Sequence, residues 1–179
     1  EAIGNALAYE TRAVVTLTPT CIVVMGVSGA GKTTLSRRLA ERLNGHFLDG
    51  DDLHSKNSIE KMRQGKALSD QDREPWLERI VEHASLLIGH TPVIIACSAL
   101  KTAYRERLAE IPHRLVHLEG TLEECSRRLR SRPNHFASEK LLPSQFRDLE
   151  RPEGAIVIPI AWSSEQAVNH IICELGMQK

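Results

Sequence analysis

The sequence has no excess of either charge and no apolar run long enough to span a bilayer. Lys+Arg and Asp+Glu are equal at 23 each in a chain of 179 residues. A balanced charge gives no general reason to expect nucleic acid or an anionic membrane as a partner. The first twenty residues also lack the apolar core of a signal peptide. We therefore expect neither nucleic acid nor a membrane among the partners.

The chain has no C-x-x-C pair, because its four cysteines are widely separated. That spacing predicts no zinc site. Cys21 and Cys97 lie in or beside apolar stretches, where cysteine commonly serves as a small hydrophobic residue. Free thiols favour a reducing compartment. We expect the protein to lie in the cytoplasm. An organelle-targeting segment upstream of residue 1 stays open as an alternative.

One glycine-rich segment matches the phosphate-binding template G-x-x-x-x-G-K-[ST] at every fixed position, since residues 26–33 read G-V-S-G-A-G-K-T. An apolar stretch, Cys21–Met25, precedes it as a buried strand would, and residues 33–43 show helical spacing. In such a loop the main-chain N–H groups point at phosphate oxygens, Lys32 reaches the outer phosphates and Thr33 completes a Mg²⁺ shell. The segment predicts binding of a nucleoside triphosphate. The predicted contacts are Gly26, Ser28, Gly29, Ala30, Gly31, Lys32, Thr33 and Thr34.

Two further absences narrow the class of nucleotide-binding protein. Neither the third nor the fourth strand ends in an aspartate of the Walker B type, since they end in Ala96-Cys97 and Leu118-Glu119. This argues against motor-type ATPases. No Asn/Thr-Lys-x-Asp run of the kind that reads guanine is present, which argues against a GTPase. A small-molecule kinase remains.

From residue 21 onward, five short apolar strands alternate with helices, which predicts an α/β fold with a parallel sheet covered on both faces. The expected strands are residues 21–25, 46–49, 92–96, 114–118 and 155–158. The expected helices include residues 33–43, 59–63, 122–132, 144–149 and 164–175, and a helix after Ser69 whose apolar stripe makes Trp76 a core residue. We expect one domain, residues 21–179, preceded by a poorly ordered or artificial extension, residues 1–20.

Ligands of parallel sheets bind at the carboxyl ends of the strands, where three segments converge. The glycine loop follows the first strand, Asp49 and Asp51 follow the second, and residues 97–101 follow the third. One carboxylate is needed for Mg²⁺ or its water shell, and a second accepts a proton from an attacking hydroxyl.

A basic helix near residues 122–132 carries Arg127, Arg128, Arg130 and Arg132 and ends at Pro133. Phosphoryl transfer requires movable cations that close over the transferred group. We interpret residues 127–145 or so as a mobile lid.

These segments together resemble the gluconate kinases, small P-loop kinases close to shikimate kinase and related to nucleoside monophosphate kinases. The glycine loop alone is generic, whereas the combination of D-G-D-x-L-H, D-R-x-P-W-L and C-S-A-L-K is highly specific. The resemblance covers nearly everything from residue 21. The segments that carry it are residues 25–34, 48–54, 57–62, 68–77, 97–101 with Tyr104-Arg105, His135-Phe136, Leu141-Leu142, Ser144-Gln145-Phe146 and Leu149-Glu150.

The resemblance implies a three-layer P-loop kinase fold, a homodimer, and ATP-dependent phosphorylation of D-gluconate to 6-phospho-D-gluconate at the terminal hydroxyl. It implies ATP and Mg²⁺, with Thr33 and Asp49 on the metal and Asp51 as the base. The implied catalytic residues are Lys32, Asp51, Arg128 and Arg132, and Arg128 is also a nucleotide contact. The implied sugar-acid contacts are Asp51, His54, Arg73, Lys101, Arg105 and His135.

The chain departs from the family pattern in two places. Ser55-Lys56 stand where prolines often follow the histidine, and residues 131–136 read S-R-P-N-H-F where Lys-Gly before His-Phe is more usual. The second departure leaves open which arginine acts in the lid.

Three alternatives to a gluconate kinase can be weighed on the residues. A shikimate kinase calls for Gly-Gly-Gly after the third strand, where this chain has residues 98–100, S-A-L. A nucleoside monophosphate kinase requires an acceptor site for a base and a phosphate. A nucleotide-binding regulator without turnover is disfavoured by the intact Lys32, Thr33, Asp49 and Asp51. An acyclic polyhydroxy acid instead requires a cation for its carboxylate, and the predicted rim offers several.

Overall fold

The five strands form one parallel sheet in the order β2-β3-β1-β4-β5. The computed structural model describes residues 21–131 and 139–177. The strands are β1 (Cys21–Met25), β2 (His46–Asp49), β3 (Val93–Ala96), β4 (Arg114–Glu119) and β5 (Ile156–Pro159). All five predicted strands are present and parallel. The expected extension, residues 1–20, lies outside the described residues.

Seven α-helices connect the strands within the described residues, with short 3₁₀ helices at Gly50–Leu53 and Glu139–Leu141. They are α1 (Lys32–Leu43), α2 (Lys56–Arg63), α3 (Asp70–Leu87), α4 (Thr102–Leu108), α5 (Leu122–Arg130), α6 (Leu142–Asp148) and α7 (Ser164–Glu174). Helix α5 ends at Arg130, two residues before the predicted end. Helix α6 begins two residues before the predicted start, because Pro143 in its first turn needs no N–H partner there.

The sheet separates two apolar clusters, as expected of strands covered on both faces. Trp76 on α3 is fully buried, and its indole N–H donates to the main-chain oxygen of Gly50 at 2.6 Å. The prediction that Trp76 belongs to the core is confirmed. The capping box at Ser69 and Asp72 is also present and starts α3. The helix thereby fixes the turn after β2, which carries the acidic residues.

Cys21, Cys97 and Cys125 are buried, and burial raises the pKa of both the Cys21 and the Cys97 thiol to about 12. These residues serve packing, as the sequence indicates. Across residues 21–131 and 139–177, no cluster of three or more His, Cys, Asp or Glu is suited to hold a metal ion. No helix in the same ranges has the length and apolar character needed to cross a bilayer.

Candidate active site

The glycine loop between β1 and α1 lies close under α5. Gly29 has a φ of +80°, and a Cβ at this position would lie 2.5 Å from the main-chain oxygen of Cys125. Gly31 has a φ of +103° and ends the loop at the start of α1. A side chain at Gly29 is therefore excluded both by backbone conformation and by the neighbouring helix.

The loop presents main-chain donors that no described residue satisfies. Among residues 21–131 and 139–177, no protein group accepts from the N–H of Gly29, Gly31, Lys32 or Thr33. These donors lie at the N-terminus of α1, where the helix dipole favours an anion. The arrangement is a cradle for phosphate oxygens.

Lys32 lies near the end of the glycine loop, and its ammonium group is close to the carboxylates of Asp49 and Asp51. Its ammonium group donates to the main-chain oxygen of Val27 at 3.0 Å. Burial lowers the pKa of Lys32, and the nearby Asp51 and Asp49 carboxylates oppose that shift. The lysine head therefore lies near the first residues of the loop.

Asp49 ends β2 and holds two groups of the site. Its carboxylate accepts from Thr33 Oγ1 at 3.2 Å and from the main-chain N–H of Asp51 at 3.1 Å. Burial raises the pKa of Asp49, as does the neighbouring Asp51 carboxylate, while both hydrogen bonds lower it. A carboxylate beside a hydroxyl at the end of a phosphate cradle is a donor set that suits Mg²⁺, which takes few protein ligands and several phosphate oxygens.

The Asp51 carboxylate accepts no hydrogen bond from any described residue, and it lies in the 3₁₀ turn that Asp49 caps. The same turn leads to His54, whose ring stacks on Trp76 with centroids 4.4 Å apart. Burial lowers the pKa of His54 to about 3, and the Arg73 and Arg79 cations add to that shift. His54 is therefore a neutral imidazole at the end of the turn that carries Asp51.

Arg73 and His54 are both more than nine-tenths buried and both keep an unpartnered polar atom. The Arg73 guanidinium lies 5.4 Å from the ring centre of Tyr104 and 5.9 Å from that of Trp76. Neither Arg73 Nε nor His54 Nδ1 has a hydrogen-bond partner. Unsatisfied buried polar groups are rare in folded proteins, and on two residues of the predicted acceptor site they are available to a ligand or an ordered water molecule.

Lys101 and Arg105 follow β3, and their side chains have different partners. Lys101 pairs with Asp70 at 2.8 Å at the surface, and this bond raises the pKa of Lys101. The guanidinium of Arg105 donates to the main-chain oxygens of Ala99 at 2.9 Å and Leu100 at 2.8 Å. Arg105 thereby holds the turn in which Ala99 has a φ of +44°. Its predicted contact with a sugar acid stays a prediction, and its observed bonds are to the turn.

The predicted lid is described only in part. Arg128 donates to the main-chain oxygens of Ala30, at 3.2 Å, and of Ile160. Arg130 pairs with Glu139, with 3.0 Å between Nε and Oε1. Arg132 and His135 lie outside the described residues, so their predicted roles stay predictions.

A cavity of about 210 Å³ lies beside Arg128 and is lined in part by the glycine loop. Ala30, Gly31 and Thr34 form one wall, and the segment between β5 and α7, including Trp162, forms another. Trp162 is 40% exposed and meets the ring of His170 edge-on. Sequence reasoning assigned no role to Trp162, and no motif singles it out.

Gln145 on α6 is a second residue to which the sequence assigned no role, although it lies in one of the segments that carry the resemblance. Its side chain forms two hydrogen bonds to Ser28 in the glycine loop. The sequence signal that could have identified Gln145 is its place in that segment. The contact itself joins residues 117 positions apart, so no periodic pattern in the sequence predicts it.

Comparison with known proteins shows which family the chain resembles. A family model described as an AAA domain matches residues 21–152. The gluconokinase of Gluconobacter oxydans is 45% identical over 140 residues, which cover 76% of this chain and 78% of that protein. The gluconokinase of Arabidopsis thaliana is 42% identical over 170 residues, which cover 84% and 89% respectively.

Solved structures give the same relationship. A gluconokinase from Sinorhizobium meliloti superposes with a TM-score of 0.79 at 36% identity, covering 89% of this chain and 93% of that one. An APS kinase from Mycobacterium tuberculosis superposes with a TM-score of 0.65 at 20% identity, covering 89% and 98%, and shares the fold.

Proposed function

The chain belongs to the gluconokinase family of P-loop kinases, and from this relationship we propose that it transfers the γ-phosphoryl group of ATP to the terminal hydroxyl of D-gluconate. The product is 6-phospho-D-gluconate. The observation that carries the assignment is the pair of buried polar atoms without partners, Arg73 Nε and His54 Nδ1, since His54 directly follows the turn that carries Asp51. A phosphate cradle alone serves any nucleotide-binding protein, whereas these groups form an acceptor site for a polar anion.

The triphosphate lies along the glycine loop. The free N–H groups of Gly29, Gly31, Lys32 and Thr33 contact its oxygens, and Lys32 leaves the Val27 oxygen to bind the outer phosphates. The adenine ring occupies the cavity beside Arg128 and Trp162. The γ-phosphate then lies toward Asp51, because Asp49 of the same acidic turn accepts from Thr33 and the Asp51 carboxylate acts on the Lys32 ammonium.

Thr33 and Asp49 hold Mg²⁺ when it is bound with ATP. The ion neutralises charge on the phosphate oxygens. Thr33 Oγ1 and Asp49 Oδ2 lie 3.2 Å apart, so a hydroxyl and a carboxylate oxygen are presented together at the start of α1. The support for a Mg²⁺ site at Thr33 and Asp49 is that both residues offer the oxygen ligands that this ion prefers.

Asp51 accepts the proton of the terminal hydroxyl as that oxygen attacks the γ-phosphorus. The bond from the γ-phosphorus to the β,γ-bridging oxygen breaks, and ADP leaves. The carboxylate is suited to this role because no described residue donates to it, whereas both oxygens of Asp49 are already engaged.

The carboxylate of D-gluconate binds to Arg73, with Lys101 nearby on the same surface. His54 Nδ1 pairs with a hydroxyl of the sugar acid, because a neutral imidazole suits an uncharged partner. Arg128 and Arg132 complete the proposal as lid and nucleotide contacts and His135 as a further sugar-acid contact, as the family resemblance implies.

We also propose that the enzyme acts as a homodimer in the cytoplasm. The family resemblance supports the dimer. The buried thiols of Cys21, Cys97 and Cys125 support a reducing compartment.

A coupled assay of ADP release tests the function. The purified protein is offered ATP, Mg²⁺ and, in separate reactions, D-gluconate, shikimate and nucleoside monophosphates. Turnover with D-gluconate and identification of 6-phospho-D-gluconate as the product are expected. Turnover with shikimate or a nucleoside monophosphate in place of D-gluconate would assign another kinase activity, and ATP binding without turnover would leave a nucleotide-binding regulator.

A further inference from the structure

The side chain of Gln145 joins helix α6 to the third residue of the glycine loop through both ends of its amide. Oε1 accepts from the main-chain N–H of Ser28 at 2.7 Å, and Nε2 donates to Ser28 Oγ at 3.0 Å. Ser28 is 7% exposed, so few water molecules are available to replace either bond. We refer to this pair of bonds as the Gln145 clamp.

The clamp acts at the end of the loop where phosphoryl transfer takes place. Lys32 Nζ donates to Val27, the residue before Ser28, so the lysine that reaches the outer phosphates lies beside the clamped peptide. Arg128 contacts Ala30, which lies toward the opposite end of the loop. The clamp therefore fixes the part of the loop near the γ-phosphate, whereas Arg128 contacts the part of the loop near the adenine cavity.

Helix α6 is itself anchored at its N-terminal end. Leu142 is fully buried and lies one turn before Gln145, so the helical face that packs on the core also presents the amide to the loop. Glu139, just before α6, accepts from Arg130 and Ser126 on α5. The clamp thus links the loop to α5 and α6, the two helices in which the predicted lid begins and ends.

We propose that Gln145 is a positioning residue for phosphoryl transfer. By holding the Ser28 peptide, it keeps the first half of the loop in the curvature that directs the remaining N–H groups and Lys32 at the γ-phosphate. Gln145 acts through the loop and is not itself assigned a contact with the reacting atoms. This inference rests on the proposed function, because the acceptor for the phosphoryl group is D-gluconate.

The test compares wild type with Gln145→Leu, which keeps the size of the side chain but removes both bonds. We expect kcat with D-gluconate to fall about 5- to 100-fold, since the free-energy cost of a buried N–H without an acceptor corresponds to a change of this size. The KM for D-gluconate stays near wild type. By calorimetric titration, the affinity for ATP weakens while the affinity for ADP is retained, because the clamp acts where the γ-phosphate lies.

Two matched variants separate positioning from folding. Ser28→Ala removes only the bond from Nε2, so its loss of kcat should be smaller than that of Gln145→Leu, and the double variant should lose less than the sum of the two changes in free energy. Ser144→Ala removes a bond to Leu141 within the same segment, away from the loop, and should keep wild-type kcat.

Several results would overturn the inference. They are a kcat of Gln145→Leu within about twofold of wild type, an equal loss in Ser144→Ala, or equal weakening of ATP and ADP binding. If wild type fails to phosphorylate D-gluconate, the proposed function fails, but the contrast between ATP and ADP binding still decides whether Gln145 positions the loop.

Discussion

At the scale of single residues, two aspartates two positions apart have different surroundings. Asp49 uses both carboxylate oxygens, on Thr33 and on the N–H of Asp51, whereas the Asp51 carboxylate is free of described partners. The spacing along the sequence does not distinguish them. Their hydrogen bonds suit Asp49 to holding a metal ion and Asp51 to accepting a proton.

Replacing Asp51 by Asn should remove the base and keep the shape of the site. We expect kcat to fall about 10²- to 10⁴-fold, the usual contribution of a general base. Affinity for ATP, measured by calorimetry, should stay near wild type. The exposed neighbour Asp52 gives a matched control, since Asp52→Asn should leave kcat unchanged. A near-normal kcat for Asp51→Asn would remove this residue as the base.

Arg73 should decide affinity for the acid group of the substrate. Arg73→Met keeps the length and apolar stem of the side chain but removes the guanidinium. Loss of a buried charged partner costs about 2–5 kcal/mol, so the KM for D-gluconate should rise about 30-fold or more. Binding of ATP should change little.

Arg107 is the control for a lost cation, because it forms ion pairs with Glu74 and Glu78 at the surface. Arg107→Met should keep the wild-type KM. Equal effects of the two substitutions on KM would show that Arg73 does not bind the carboxylate.

His54 should make folding stability depend on pH. Its pKa is about 3 in the folded chain against 6.5 for an ordinary histidine. Between these values the unfolded chain binds the proton and the folded chain does not. The free energy of unfolding should therefore fall as pH drops below 6.5, by roughly 1 kcal/mol per pH unit, with no further contribution below about 3.

Chemical denaturation of wild type and His54→Gln between pH 4 and 8 measures this contribution. Above pH 7 the imidazole is neutral in both states, so the difference there reports only lost packing against Trp76. The slope below pH 6 should be shallower in the variant. Parallel curves over the whole range would contradict a neutral, buried His54.

At the scale of secondary-structure elements, the glycine loop is shaped by α5 as much as by its own sequence. Gly29→Ala places a Cβ 2.5 Å from the Cys125 oxygen, whereas Gly154, with a similar φ of +67°, has no atom within 4 Å of an added Cβ. Alanine at Gly154 should cost only the backbone conformation, about 1 kcal/mol. Alanine at Gly29 must also displace α5 or the loop.

Denaturation and ATP titration of both variants separate these costs. We expect Gly154→Ala to bind ATP as wild type does, and Gly29→Ala to lose more stability and to bind ATP weakly. Equal stability losses in the two variants would mean that the approach of α5 does not constrain the loop.

At the scale of the whole molecule, the sheet brings the donor and acceptor halves of the site to one edge. The glycine loop follows β1, the acidic turn follows β2, and the segment with Lys101 follows β3. In the sheet order these three strands are neighbours, β2-β3-β1. Because β3 lies between β2 and β1, the segments proposed to bind the two substrates are neighbours.

Discrimination between D-gluconate and glucose tests this joint site. Glucose lacks the carboxylate that Arg73 is proposed to bind, and an unpaired buried cation costs about 2–5 kcal/mol. The ratio of kcat/KM values, measured with the same ATP concentration, should favour D-gluconate by about 30-fold or more. Equal turnover of both sugars would contradict the substrate assignment.

The sequence by itself determined the strands, most of the helices and the glycine loop, because these depend on local spacing of apolar residues and on glycine where the backbone requires it. It also carried the motifs that relate the chain to gluconokinases. The tertiary structure alone decided that Arg105 bonds to the turn after β3, that Arg73 and His54 are left with unpartnered atoms, and that Gln145 holds Ser28. Such contacts join residues far apart in the chain, and their partners are set by packing, which leaves no periodic trace in the sequence.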